Sequence, residues 1–144
     1  MRTIKPLKDT DYRVTKMLFQ NIFDISEDNY FVAAWKGRNR DSSVGIWEDG
    51  ALLGGTVVKG DKLEYIFVSD SHQGCGLGKW LLEAVLAKHP VIHLIPVKDP
   101  RVIRWYESYG FRVLSERPTR NGPELLMIRE REALLTQKRE VLVA

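Results

Sequence analysis

The sequence predicts a mixed α/β domain, with a mostly antiparallel sheet of about six to seven strands flanked by about four helices. Three observations point there. Two apolar runs flank Asp49-Gly50, a dipeptide favoured in two-residue hairpin turns. A strand-like run, a glycine-rich turn and an amphipathic stretch then follow one another between residues 63 and 88. Beyond them, a β-branched run, a capped helix and two further strand-like runs continue the alternation.

Residues 1–7 alternate as a short first strand. Asp9 or Thr10 can then cap a helix whose apolar face is Val14, Met17, Leu18 and Ile22. DISEDNYFVAAWK reads as a second helix capped by Asp24, and GRNRD as a polar loop. SSVGIW, ALLGGTVV and LEYIFV are strand candidates, with a further turn at Lys59-Gly60-Asp61. Helical spacing of Leu77, Trp80, Leu81, Ala84 and Val85 predicts a helix over 76–88, and VIHLIPV reads as a buried strand. Asp99-Pro100 opens another helix, with Asp capping and Pro in the first turn, and Gly110 ends it. FRVLSE and PELLMIR follow as strands. The tail, 130–144, is charged with scattered apolar residues and reads as a docking helix or a partly disordered end of the single domain 1–144.

Composition narrows the class. A chain of 144 residues that is 44% hydrophobic can bury one sizeable core. The first residues carry charge without a following apolar run, and later apolar stretches are broken by Lys88, His89, Pro90, His93 and Pro96, short of the roughly 20 residues a membrane span needs. The expectation is a soluble protein. Cys75 is the only cysteine, which excludes an internal disulfide framework and suits an intracellular, reducing compartment. The net charge of +3 does not by itself indicate nucleic acid, and GRNR is short for a nucleic-acid stripe. His72, His89 and His93 lack metal-ligand spacing, so no metal is expected.

The most specific local feature is Gln73-Gly74-Cys75-Gly76-Leu77-Gly78-Lys79, a glycine-rich turn between a strand and the start of an amphipathic helix. Amides of a first helical turn point outward, the helix dipole adds positive potential, and glycines let phosphate oxygens approach the backbone. A pyrophosphate suits such a turn. A nucleotide-triphosphate loop would need a glycine where Gln73 stands and a hydroxyl where Trp80 stands. A dinucleotide fingerprint would need glycine at 79 or 81, where Lys79 and Leu81 stand.

Together with Trp105-Tyr106-Glu107-Ser108-Tyr109-Gly110-Phe111, this loop resembles the GNAT superfamily of N-acetyltransferases. That family writes its acyl-CoA loop Gln/Arg-x-x-Gly-x-Gly/Ala and carries a later helix ending in Phe-Tyr-x-x-x-Gly-Phe. Asp99, where many members have Asn, and Val102, where Ala is usual, depart from the pattern. The resemblance implies acetyl-CoA as co-substrate, bound by Gly74, Cys75, Gly76, Leu77, Gly78, Lys79 and Gln73. It further implies a thioester held by backbone groups around Phe67 and Val68, and Tyr106 as the acid serving the departing thiolate.

The acceptor must be an amine. An alkylammonium is only on the order of 0.1% neutral at pH 7, so a carboxylate must bind and deprotonate it. Glu27 is the candidate base, with Asp24, Asp28 and Glu64 as substrate-binding acids. Asp24-x-x-Glu27 also reads as a capping box, and Glu64 as a solvated strand carboxylate sharing a face with Ile66 and Val68. Acids interleaved with Tyr30, Phe31, Trp35, Trp47 and Tyr65 would suit a small cation. That arrangement is similar to small polyamine acetyltransferases of the spermidine/spermine type, including those of large algal viruses. The expected substrate is thus a polyamine or diamine. The alternatives are a protein lysine, or a non-catalytic CoA- or nucleic-acid-binding module. Apolar positions in the tail leave a homodimer open. Lys79 and Arg104 suit phosphates or solvent equally, and Cys75, with no readable His and Asp partners, is not read as a nucleophile.

Overall fold

A computed structural model describes residues 1–23, 29–91, 93–120 and 122–129. Two compact units divide the chain, Met1–Pro90 and Val91–Ala144. Among the described residues there are seven strands and four α-helices, and no helix is long and apolar enough to cross a membrane.

The first unit runs β1 (Arg2–Pro6), α1 (Tyr12–Phe23), α2 (Asn29–Lys36), β2 (Val44–Glu48), β3 (Ala51–Lys59), β4 (Lys62–Val68) and α3 (Leu77–Lys88). Its four strands pair antiparallel in chain order, with Ile4 opposite Ile46, Gly45 opposite Gly55, and Gly55 opposite Phe67. The β2–β3 turn is the expected Asp49-Gly50 hairpin, with φ of 51° and 82° matching the twist that two left-handed residues provide.

Gly54 and Gly55 show how helices cover both faces of β3. A Cβ on Gly54 would meet Leu81 of α3 at 3.3 Å, whereas one on Gly55 would meet the Phe67 ring at 3.1 Å. Successive strand residues face opposite ways, so α3 lies across the sheet from the layer containing Phe67. That layer is aromatic: Phe19 of α1 sits 4.6 Å from Phe31, 4.7 Å from Tyr65 and 4.8 Å from Phe23, ring centre to ring centre. Leu7, Ala34, Trp35, Leu52, Val57 and Phe67 complete the cluster.

The aromatic packing corrects the expected face of α1. Val14 and Met17 are exposed, while Thr15 and Phe19 are buried. Turning the helix to seat the larger Phe19 gains more apolar burial than seating Val14, and the Thr15 hydroxyl is satisfied by donating to the Asp11 carbonyl at 2.7 Å. Neither Asp9 nor Thr10 caps the helix. Asp11 accepts from the Lys8 amide at 2.8 Å, within a 3-10 turn at Asp9–Asp11.

The Asp9 carboxylate has another task, which overturns the reading of 37–41 as a polar surface loop. Arg38 is 6% exposed. Its guanidinium donates to the Trp35 carbonyl at 2.9 Å, the Leu7 carbonyl at 3.2 Å and Asp9 Oδ1 at 2.8 Å, and lies 4.0 Å from the Trp35 ring centre. Arg40 also donates to Asp9 Oδ1 at 2.8 Å. Hydrogen bonds from Arg40 and Arg38 hold the Asp9 carboxyl below the usual carboxylate range.

The second unit holds β5 (His93–Leu94), α4 (Pro100–Glu107), β6 (Phe111–Thr119) and β7 (Gly122–Arg129), paired antiparallel in the order β5-β7-β6. Asp99 caps α4 as expected, accepting from the Arg101 amide at 2.9 Å, and Gly110 ends the turn with φ 93°. The strand expected over 91–97 is shorter. Pro96 has no amide to offer a ladder, and Ile95 and Val97 are exposed.

Arg38 closes the β1–α1 turn onto the end of α2, so its loss strands two carbonyls and an aromatic face. Arg38→Met should lower unfolding free energy by about 2–4 kcal/mol in urea titration. Arg40→Met, whose partner is exposed, should change it little.

Candidate active site

The site begins with how β4 is held. The Ser69 amide donates to the Leu53 carbonyl at 2.8 Å, which makes this a hydrogen-bonded antiparallel pair. Such pairs alternate, so Gly55 and Phe67 form the next bonded pair, and Gly54 and Val68 lie between. Phe67 therefore spends its backbone on β3 and buries its ring in the aromatic layer, while Val68 directs its N–H and C=O away from β3. The Phe67 carbonyl lies 2.6 Å from where a Gly54 Cβ would be, so only glycine permits this approach. Gly54 was not among the candidates. The legible signal was a glycine pair inside a strand.

Past Val68 the chain makes a 3-10 turn at Asp70–His72 and then reverses into α3. Gln73 fixes this turn: its side-chain amide donates to the Val68 carbonyl at 3.3 Å and to Asp70 Oδ1 at 3.1 Å. Its role is to fold the loop back onto the strand end. Gly74 and Gly76 have φ of 80° and 82°, and nothing lies within 4 Å of a Cβ added at either. Backbone conformation requires glycine there, and the loop leaves open space beside it. Cys75 between them is exposed. Leu77 is buried and anchors the helix start.

The first bond of α3 runs from the Trp80 amide to the Gly76 carbonyl at 3.1 Å. The amides of Leu77, Gly78 and Lys79 precede it and have no acceptor inside the helix. Three convergent donors at a helix N-terminus, with Lys79 exposed beside them, suit an anion. The helix differs from expectation at Trp80, which is 39% exposed while Leu82 takes the buried position.

The remaining candidates divide. Tyr106, in the second unit, is 5% exposed, with its ring 4.9 Å from Trp105 and edge-on to Phe111 at 5.9 Å. Burial pushes its phenol above the ordinary value. Arg104 is exposed. Asp24, Glu27 and Asp28 lie outside the described residues. Glu64 lies where the β3–β4 register shifts, Val57 opposing Tyr65 and Val58 opposing Leu63, so strict alternation does not run through it. Its carboxylate is 3.4 Å from Lys62 Nζ.

The aromatic residues expected to frame a cation are differently employed. Phe31 and Trp35 are buried, Tyr65 and Trp47 pack on the same core, and Tyr30 alone is largely exposed. Core packing claims these ring faces, and the cation over Trp35 is Arg38. A cavity of about 330 Å³ beside Arg38, lined also by Asp9, Tyr12 and Lys36, contains none of the candidates. Among the described residues no group of three or more His, Cys, Asp or Glu could hold a metal ion.

Residues 27–113 match the family model described as the acetyltransferase (GNAT) domain. The chain belongs to this family. As a GNAT protein it is an acetyltransferase enzyme domain, and its mixed α/β architecture is the GNAT fold. No curated protein sequence matches it. Solved structures that resemble it include Ard1 from Thermoplasma volcanium, at 16% identity and TM-score 0.71, covering 89% of this chain and 96% of that one. Arabidopsis thaliana Naa50, in complex with the bisubstrate analogue CoA-Ac-MVNAL, is 14% identical with TM-score 0.69, covering 88% and 96%. A NatC complex bound to Gag peptide and CoA contains a chain 18% identical with TM-score 0.72, covering 89% and 97%. At these identities the likeness concerns the fold.

The glycines separate into two classes by physical cause. Gly74→Ala and Gly76→Ala, strained only by φ, should each cost about 1–2 kcal/mol. Gly54→Ala, which must push β3 from β4, should cost more, and chemical denaturation of the three variants orders them.

Proposed function

We propose that this GNAT enzyme moves an acetyl group from acetyl-CoA to a primary amine by direct attack in a ternary complex. The observation that carries this reading is the succession of Val68, the left-handed glycine loop and the open first turn of α3. The loop has room for a pyrophosphate beside Gly74 and Gly76, and the amides of Leu77, Gly78 and Lys79 supply donors. The Val68 N–H, directed away from β3, suits a developing oxyanion on the thioester carbonyl. Gln73 serves by holding the loop shape.

Tyr106 serves the departing sulfur. Its raised pKa keeps the phenol protonated through neutral and mildly alkaline pH. A phenol is a weaker acid than a thiol of pKa about 8.5, so the help it gives is a hydrogen bond to the thiolate rather than net proton transfer. Glu27 takes the proton from the acceptor ammonium, and Asp24, Asp28 and Glu64 attract the cation.

The acids favour a polyamine or diamine acceptor. A polypeptide amine is the second reading, favoured by the peptide-bearing ligands of the Naa50 and NatC structures and by the engagement of the ring faces in the core. CoA release should be measured side by side with putrescine, spermidine, a lysine peptide and a peptide with an unblocked N-terminus. Turnover on the diamine or polyamine supports the first reading, and turnover on peptides alone sinks it. Glu27→Gln and Tyr106→Phe should each lower kcat by about 10²-fold while leaving CoA affinity intact. The rate should rise with pH as the acceptor deprotonates, with no fall due to Tyr106 below about pH 10.

A further inference from the structure

The first turn of α3 carries a feature that phosphate binding does not explain. The helix buries Leu77, Leu81, Leu82 and Val85, yet Trp80, one turn from the loop, stays 39% exposed. An indole left partly in water forgoes apolar burial, so this position gains little from Trp in the apoprotein. Its placement is specific. Trp80 stands four residues after Gly76, whose carbonyl accepts its amide hydrogen, and about 4.5 Å along the axis from Leu77. Side chains of a helix lean toward its N-terminus, so this indole leans over the turn at Gly76 and Leu77. Gly76 has no side chain, and a Cβ there would touch nothing. The indole and the outward amides of Leu77, Gly78 and Lys79 thus border the same open space.

We propose that Trp80 is the stacking platform for the adenine of the bound CoA, with Lys79 beside it facing the 3′-phosphate. This rests on the acetyl-CoA reading above and assigns a residue to the nucleotide end of that ligand. The chemistry follows from the ligand's shape. Its pyrophosphate joins an apolar pantetheine arm to a 3′-phosphoadenosine, and adenine, one ribose away, is its one planar aromatic group. An exposed indole at a phosphate site matches that group, because base stacking on an aromatic side chain is sequence-tolerant and worth about 1–3 kcal/mol. The exposed Lys79 ammonium adds charge where the additional phosphate arrives. Trp80 is thereby a binding residue that distinguishes CoA from ligands lacking adenosine.

The test is calorimetric titration of the full chain with CoA and with 4′-phosphopantetheine, which has no adenosine, together with indole fluorescence. CoA should quench the wild-type signal, and Trp80→Ala should remove the quenched component. Trp80→Ala should weaken CoA binding about tenfold, whereas Trp80→Phe should stay within about threefold. Affinity for 4′-phosphopantetheine should be the same in all three proteins. If Trp80→Ala fails to fold, the quench and the Trp80→Phe comparison carry the test. Unchanged CoA affinity in Trp80→Ala, or an equal loss toward 4′-phosphopantetheine, overturns the assignment. Failure of the wild-type protein to bind CoA at all overturns the acetyl-CoA reading, and this inference with it.

Discussion

The pairing of β3 with β4 is the constraint on which the site depends. Gly54 lets the Phe67 carbonyl approach the β3 backbone, and that register commits Phe67 inward and turns Val68 outward. Once Val68 faces away from β3, the Gln73 side chain has an acceptor at the strand end, and the loop folds back against it. The left-handed glycines then launch α3 with its first amides exposed. Each step follows from the one before: ladder, strand end, loop, helix start. An acyl donor needs a polarised carbonyl and a seated pyrophosphate, and this run of backbone offers donors for both within twelve residues, Val68 to Lys79.

The opposite face of the same sheet is fixed by aromatic packing and one buried cation. Phe19, Phe31, Trp35 and Tyr65 contact one another closely enough that α1, α2 and β4 share a single layer. Arg38 stacks on Trp35 and ties the end of α2 to the β1–α1 turn. A buried guanidinium is tolerable when it is hydrogen-bonded and paired, and here two carbonyls and the Asp9 carboxylate share that task. Using the rings for packing leaves carboxylates as the proposed recognition elements for an amine.

Local chemistry was legible in the sequence, and long-range choices were not. Asp49-Gly50, Gly74, Gly76 and the Asp99-Pro100 cap each satisfy a backbone demand within a few residues, so their types reveal their roles. Helix faces were read less well. Val14 and Phe19 both fit an apolar stripe on α1, and only the partners across the layer decide which is buried. Trp80 passed as a core residue because periodicity counts hydrophobicity and is blind to a neighbouring ligand site. Arg38 looked like a surface charge because its partners, Leu7 and Asp9, lie about thirty positions away. Gly54 was visible as a glycine in a strand, but its necessity appears only when the neighbouring strand is in register.

The central claim, that the Val68 strand end and the following glycine loop receive CoA, is tested most directly by amide chemical-shift mapping of the isotope-labelled chain with CoA. The account predicts that the largest saturable shifts fall on Val68 and on Gly74, Cys75, Gly76, Leu77, Gly78 and Lys79. Saturable shifts confined to other regions, such as the cavity beside Arg38, or no shifts at all, would contradict it.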